Sequence, residues 1–227
     1  MDSYFFINNE KILKKIVNAK WIWGGEDPRP INSYRFFRRE FYINNASQDA
    51  EITIYAEYRY RLFINGEFVQ VGPTPSRPEE RLFDNYCIKN NLTEGLNCIG
   101  IEVYCPGLMT GQWTMVNPGL TASVSIDSGQ IDVITDSSWK TIRADAWIPN
   151  TQLCPYAKGF YEYKDMTRYP KGWNKPGYND SEWEHVTVIP FYSYSNGKNI
   201  FQNYVGYPTL LRHRAENCFS KELLAEW

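Results

Sequence analysis

Tyr60-Arg61-Leu62-Phe63-Ile64-Asn65-Gly66-Glu67-Phe68-Val69 is the stretch that decides the fold class. An extended run leads into an Asn-Gly pair, whose residues tolerate positive φ, and a second extended run leads out: the pattern of a β-hairpin. Upstream, Ile52, Ile54 and Ala56 face one way and Glu51, Thr53, Tyr55 and Glu57 the other, while Phe37, Phe41 and Ile43 alternate with Arg38, Glu40 and Tyr42. Downstream, Ile99, Ile101 and Val103 share a face, with Glu102 and Tyr104 opposite. Leu120, Ala122, Val124 and Ile126 then alternate with Thr121, Ser123 and Ser125 before Asp127-Ser128-Gly129 turns into a second hairpin, and Val186, Val188 and Ile189 offer a closing strand. Short alternating strands separated by Gly, Pro and Asn turns, with no interleaved helices of comparable length, indicate an antiparallel β-sandwich or barrel.

The flanks read differently. Asn8 or Asn9 can cap a short helix carrying Ile12, Leu13, Ile16 and Val17, and Ser220 a last one containing Leu223 and Leu224. The expected organisation is a helical lead-in at 1–18, a β-domain at 19–190, and a linker with the start of a following element at 191–227. Within the β-domain, 72–78 is a proline-rich rim loop and 145–177 reads as a loop-rich aromatic stretch.

Composition narrows the partners. The 227 residues carry a net charge of −2, so no global field recruits nucleic acid or an anionic membrane surface. Bases stacking on Tyr58, Tyr60 and Trp113 would lack the electrostatic funnel such sites use. No apolar run approaches the roughly 18 residues of a membrane span. Five cysteines (Cys87, Cys98, Cys105, Cys154 and Cys218), without a C-x-x-C pair or a secretory leader, suggest reduced thiols and a cytoplasmic protein. The N-x-S/T triplets at Asn45, Asn91 and Asn179 accordingly read as turns.

Few reaction chemistries fit. His185 and His213 lie far apart, and Cys98 and Cys105 point to opposite faces of any strand containing both, so no cofactor held by nitrogen and sulfur is expected; calcium on Asp and Asn oxygens of a rim loop stays open, without the usual D-x-[DN]-x-[DN]-G run. Serine-hydrolase elbow, zinc-protease, Walker and dinucleotide motifs are missing. Glu57, Asp84, Glu102 and Asp165 are the carboxylates from which a glycosidase pair would have to come. The 37 aromatic residues, 16% of the chain, suit a sandwich that stacks rings on sugars while Asn, Arg and acidic groups bond the hydroxyls. Trp21, Trp139 and Trp183 sit beside turn or strand signals and read as core, whereas Trp113 serves either purpose.

Three segments together resemble the N-terminal β-sandwich of bacterial α-L-rhamnosidases, a galactose-binding-like jelly roll. The first is Ala19-Lys20-Trp21-Ile22-Trp23 with Phe36-Phe37-Arg38-Arg39-Glu40-Phe41. The second is Tyr60 to Gly66 with Val71-Gly72-Pro73, Phe83-Asp84-Asn85-Tyr86 and Leu92 to Gly100. The third is Thr135-Asp136-Ser137-Ser138-Trp139-Lys140, Tyr161-Glu162-Tyr163-Lys164-Asp165 and Gly172-Trp173-Asn174-Lys175-Pro176-Gly177-Tyr178-Asn179-Asp180-Ser181-Glu182-Trp183. Asp180-Ser181 is expected to cap a single turn that drops Trp183 onto the core. Tyr163-Lys164-Asp165 departs from the family's Y-D-A, and Tyr207 to Arg212 only loosely matches the lead into its next domain.

The resemblance implies a non-catalytic carbohydrate-binding accessory domain whose partners are rhamnose-containing glycans and a glycoside hydrolase catalytic domain. That domain, a barrel of about twelve helices needing on the order of 200 further residues, has no room in this chain, so no catalytic residue carries over. Strand parity and loop position put the expected sugar site on an outer face and rim containing Tyr58, Tyr60, Arg77, Asp84, Tyr104 and Trp113. The competing expectations are a structural domain that only docks on the catalytic domain, and an autonomous glycosidase with facing carboxylates.

Overall fold

The computed structural model describes residues 18–27, 29–44, 49–73, 82–111, 113, 117–127, 131–154, 159–189, 192–195, 198–201 and 212–213. The expected flanking helices lie outside them, as does Arg77. The strands are β1 (Ile22–Trp23), β2 (Ser33–Ile43), β3 (Ala50–Ala56), β4 (Tyr60–Ile64), β5 (Glu67–Gly72), β6 (Leu82–Cys87), β7 (Gly95–Cys105), β8 (Leu120–Ile126), β9 (Ile131–Ile134), β10 (Lys140–Arg143), β11 (Glu184–His185), β12 (Thr187–Val188), β13 (Tyr192–Ser195), β14 (Lys198–Phe201) and β15 (Arg212–His213). One sheet runs β12-β1-β8-β3-β6-β15, with β9 also on β8; the other runs β11-β10-β2-β7-β4-β5. Pairing is antiparallel except where β15 joins β6. Within 191–227, β13 and β14 form a separate two-stranded ladder.

Strand alternation fills the space between the sheets. Ile52, Ile54 and Ala56 from β3, Leu120, Ala122, Val124 and Ile126 from β8, Leu62 and Ile64 from β4, and Ile99, Ile101 and Val103 from β7 enter one buried cluster. Each of the Ile, Leu and Val side chains contributes about 1.5–3 kcal/mol on burial. The hairpin that decides the class forms as read: β4 and β5 pair across Asn65 and Gly66, at φ +53° and +86°. Asn65 also accepts from Cys98 N and donates to Asn91 O and the Asn97 side chain, fixing the turn against β7. Cys105 joins the inter-sheet cluster, whereas Cys98 lies on the other face, 3.6 Å from the Arg38 guanidinium. Trp21, Trp139 and Trp183 are all buried.

A second layer covers the outer face of the β2–β7 sheet, where loops are expected from the sequence. Ala144, Ala146, Trp147, Trp173 and Trp183 lie on Phe36, with Tyr34, Phe63, Ile142, Tyr169 and Tyr178 packed against them. Phe36 stacks on Trp173 at 4.3 Å and meets Trp147 edge-on at 5.7 Å. Gly100 permits the approach, because a Cβ there would stand 2.6 Å from Asn174 Cβ. Arg38, fully buried, pins the layer down: Nε donates to Trp173 O at 3.0 Å, Nη2 to Lys175 O at 3.1 Å, and the guanidinium pairs with Asp180 and Glu40. Asp180 is therefore not the cap expected at this turn. Its carboxylate serves Arg38 and Lys140, and Asn179 Oδ1 accepts from Ser181 N instead.

Candidate functional site

Of the six residues expected on an outer sugar-binding face, the five that the structure describes do not share one. Tyr60 shares β4 with Leu62 and Ile64, so the same parity that buries those two turns it inward; its hydroxyl donates to Asp84, itself 1% exposed, and lies 3.1 Å from the Tyr86 hydroxyl. Tyr58 is fully buried and meets Trp113 edge-on at 5.9 Å inside the inter-sheet cluster. Tyr104 alone takes the expected outer face, half-buried and 4.6 Å from the Tyr34 ring. Arg77 lies outside the described residues. The core thus holds three of the six, Tyr58, Tyr60 and Trp113, because large aromatics fill sandwich interiors as readily as they line sites, and Asp84 is buried with the Tyr60 hydroxyl.

The carboxylates also disperse. Glu57 accepts from Tyr55 OH, Asp84 from Tyr60, and Asp165 from Thr167. Glu102, 4% exposed, faces Arg61 at 3.5 Å on the outer side of β7; burial pushes its carboxyl up to about 7 against the opposing pull of Arg61 and Lys164. Lys164 sits 3.9 Å from the Trp147 ring centroid and 4.2 Å from that of Tyr169, a cation held between two aromatic faces. Among the described residues no group of three or more His, Cys, Asp or Glu side chains could hold a metal ion, and no helix is long and apolar enough to cross a membrane.

What the structure does bring together is a cleft of about 270 Å³ at one end of the sandwich, lined by Gly24, Gly25, Glu26, Asp27, Pro30, Ile31, Ser33, Arg35 and Arg143. Its floor is Arg35 at the start of β2, 6% exposed. The guanidinium donates through Nε to Thr141 Oγ1 at 3.2 Å and through Nη2 to Glu184, on β10 and β11 beside it. Burial lowers its proton affinity and Glu184 restores part of it. The Gly24-Gly25 backbone drapes over this group, as only glycine permits: a Cβ on Gly24 would fall 2.7 Å from Nη2, and one on Gly25, at φ +78°, 2.8 Å from Nη1.

Nη1 makes no hydrogen bond among the described residues. Nη1 is not among the side-chain nitrogens buried without a partner, so it opens onto the cleft, where water or a ligand oxygen can accept from it. Arg143 engages Asp145 through Nε, at 3.2 Å, which leaves its outer nitrogens to the cleft. Asp27 Oδ1 accepts from Arg29 N and Oδ2 is spare; Glu26 is exposed with no partner among the described residues. Donors and acceptors therefore converge on one small space. Sequence reasoning missed it because two segments far apart in the chain build it, 24–35 and Arg143, although Gly24-Gly25-Glu26-Asp27 directly after a strand is an unusual run.

The two antiparallel sheets fit a galactose-binding-like sandwich. The model of the alpha-L-rhamnosidase N-terminal domain matches residues 46–198, and the chain belongs to that family. The GH78 rhamnosidase of Bacillus sp. GL1 is 33% identical over 76% of this chain and 18% of its own, with a TM-score of 0.72. The α-L-rhamnosidase of Dictyoglumus thermophilum is 23% identical over 92% of this chain and 23% of its own, with a TM-score of 0.66. A lectin from Pleurotus ostreatus, solved in complex with GalNAc, shares the fold at a TM-score of 0.50 and 22% identity, over 86% of this chain and 47% of its own. No curated protein matches. The chain spans about a fifth of the length of the two rhamnosidases.

Proposed function

We propose that this chain is a non-catalytic carbohydrate-binding domain of an α-L-rhamnosidase-type glycoside hydrolase, with the sugar held in the cleft above Arg35. The observation that carries this reading is the half-satisfied guanidinium, buried by its own fold yet open to one concave, polar space. The four carboxylates from which a hydrolytic pair would have to come, Glu57, Asp84, Glu102 and Asp165, lie away from this cleft, each on a partner of its own. Isothermal titration of the chain with L-rhamnose, D-galactose and rhamnosyl oligosaccharides tests it. Saturable heat that weakens in Arg143→Ala, an exposed position whose loss spares the core, is expected; a folded sample giving none with any sugar overturns the reading.

One observation favours a second reading, docking on a catalytic domain. Residues 147–154 and 159–166 are bridged at Trp147–Lys164 and Leu153–Phe160 and expose Ile148, Leu153, Tyr161, Tyr163 and Met166. Exposed apolar side chains grouped in this way suit a protein partner.

A further inference from the structure

Resting on the reading above, we infer that the cleft recognises the free vicinal diol of a terminal sugar ring, and takes neither the interior of a glycan chain nor an anion. Size sets the first limit. At about 270 Å³ the cleft falls below the roughly 300–1,000 Å³ of sites for drug-sized ligands, so it accommodates a single ring. The lining sets the second. No Trp, Tyr or Phe is among its nine residues, so the ring is not held by its flat face, as the middle of a chain would be.

Recognition falls to the ring's edge. A hydroxyl both accepts and donates, and two adjacent ones match a wall that offers Nη1 of Arg35 and the outer nitrogens of Arg143 as donors and the carboxylates of Glu26 and Asp27 as acceptors. Glycosylation or ring closure of those hydroxyls removes the donated protons and leaves both carboxylates idle. A ligand carboxylate or phosphate would satisfy the arginines but face Glu26 and Asp27 at short range. The four lining charges cancel, two against two, so an anion gains no net field.

The test compares L-rhamnose, D-mannose, D-galactose and L-arabinose, each as the free sugar and as its cis-diol acetonide, by titration calorimetry on the whole chain, with D-galacturonate and inorganic phosphate as further arms. Every sugar that binds is expected to lose at least about tenfold in affinity on acetonide formation, the equivalent of one charge-assisted hydrogen bond. Glu26→Gln, at an exposed position, is expected to weaken the free sugar severalfold and to leave thermal stability unchanged. Arg35→Lys, which keeps the charge but loses the fork, is expected to weaken it further. An acetonide that binds as well as its parent overturns the diol inference and leaves sugar binding standing. Phosphate or galacturonate binding more tightly than galactose overturns it in favour of an anion site. Failure of every sugar on folded protein overturns the proposed function itself.

Discussion

The two faces of the β2–β7 sheet are both covered at their centres, but by different means. Inward, Phe37, Ile99, Ile101 and Val103 meet the opposite sheet, and ordinary strand alternation suffices. Outward, Phe36 and its neighbours lie under an irregular segment that needs specific anchors: Arg38 to two carbonyls and Asp180, Arg35 to Glu184, and Lys164 between two rings. An aliphatic interior tolerates gradual loss, whereas a pinned layer depends on single residues. The cleft belongs to the second kind, because the Arg35–Glu184 pair that ties β11 to β2 is also its floor.

Arg38→Ala is expected to have the largest effect, a loss of about 3–5 kcal/mol, because it removes one partner of a buried charge network and orphans two carbonyls. Hydrogen exchange sharpens the contrast: amides of 164–183 should lose protection while those of Ile99 to Val103 keep it. Equal loss in both would show that the two layers unfold as one unit. Ile101→Ala is expected to cost about 2–5 kcal/mol in denaturant melts, through a cavity between the sheets, with protection lowered throughout rather than in the outer layer first.

Glu102 gives the outer face a pH dependence of definite sign. Its carboxyl is raised in the fold from 4.5 to about 7, so the folded chain binds the proton more tightly than the unfolded chain does. The stabilisation is complete below about 4.5 and is lost as pH rises through 7. Glu102→Gln should therefore melt like the parent at pH 4 and be the more stable at pH 8, by at most roughly 3 kcal/mol. Identical melting curves for the two proteins at pH 8 would remove Glu102 from the account of that layer. The smallest effect is expected for Gly66→Ala, about 1 kcal/mol, from its left-handed φ and from Lys175, whose Cγ stands 2.7 Å from the Cβ position.

The inner face was legible residue by residue, since Ile52, Ile54, Ile99, Ile101, Leu120 and Val124 alternate with polar neighbours and the Asn65-Gly66 turn names its own geometry. The same rule, applied through Leu62 and Ile64, also buries Tyr60; a phenol looks like a ligand platform until its hydroxyl is found on Asp84. The outer layer left weaker traces. Trp173 and Trp183 mark it, but a coat without periodicity shows no face, and nothing local in Arg38 tells that its partners lie about 140 residues on. The cleft was least legible, since Gly24, Arg35 and Arg143 meet only through the β2–β10 ladder, in which Arg35 stands opposite Arg143.

Chemical-shift mapping of the isotopically labelled chain during titration with L-rhamnose and D-galactose tests sugar recognition at the cleft most directly. Saturable shifts are expected at Gly24, Gly25, Ser33 and the Arg35 side chain, with residues 147–154 and 159–166 unmoved. Shifts confined to Tyr161 and Tyr163, or none at saturating sugar, would contradict it and leave those bridged segments as the working surface of the domain.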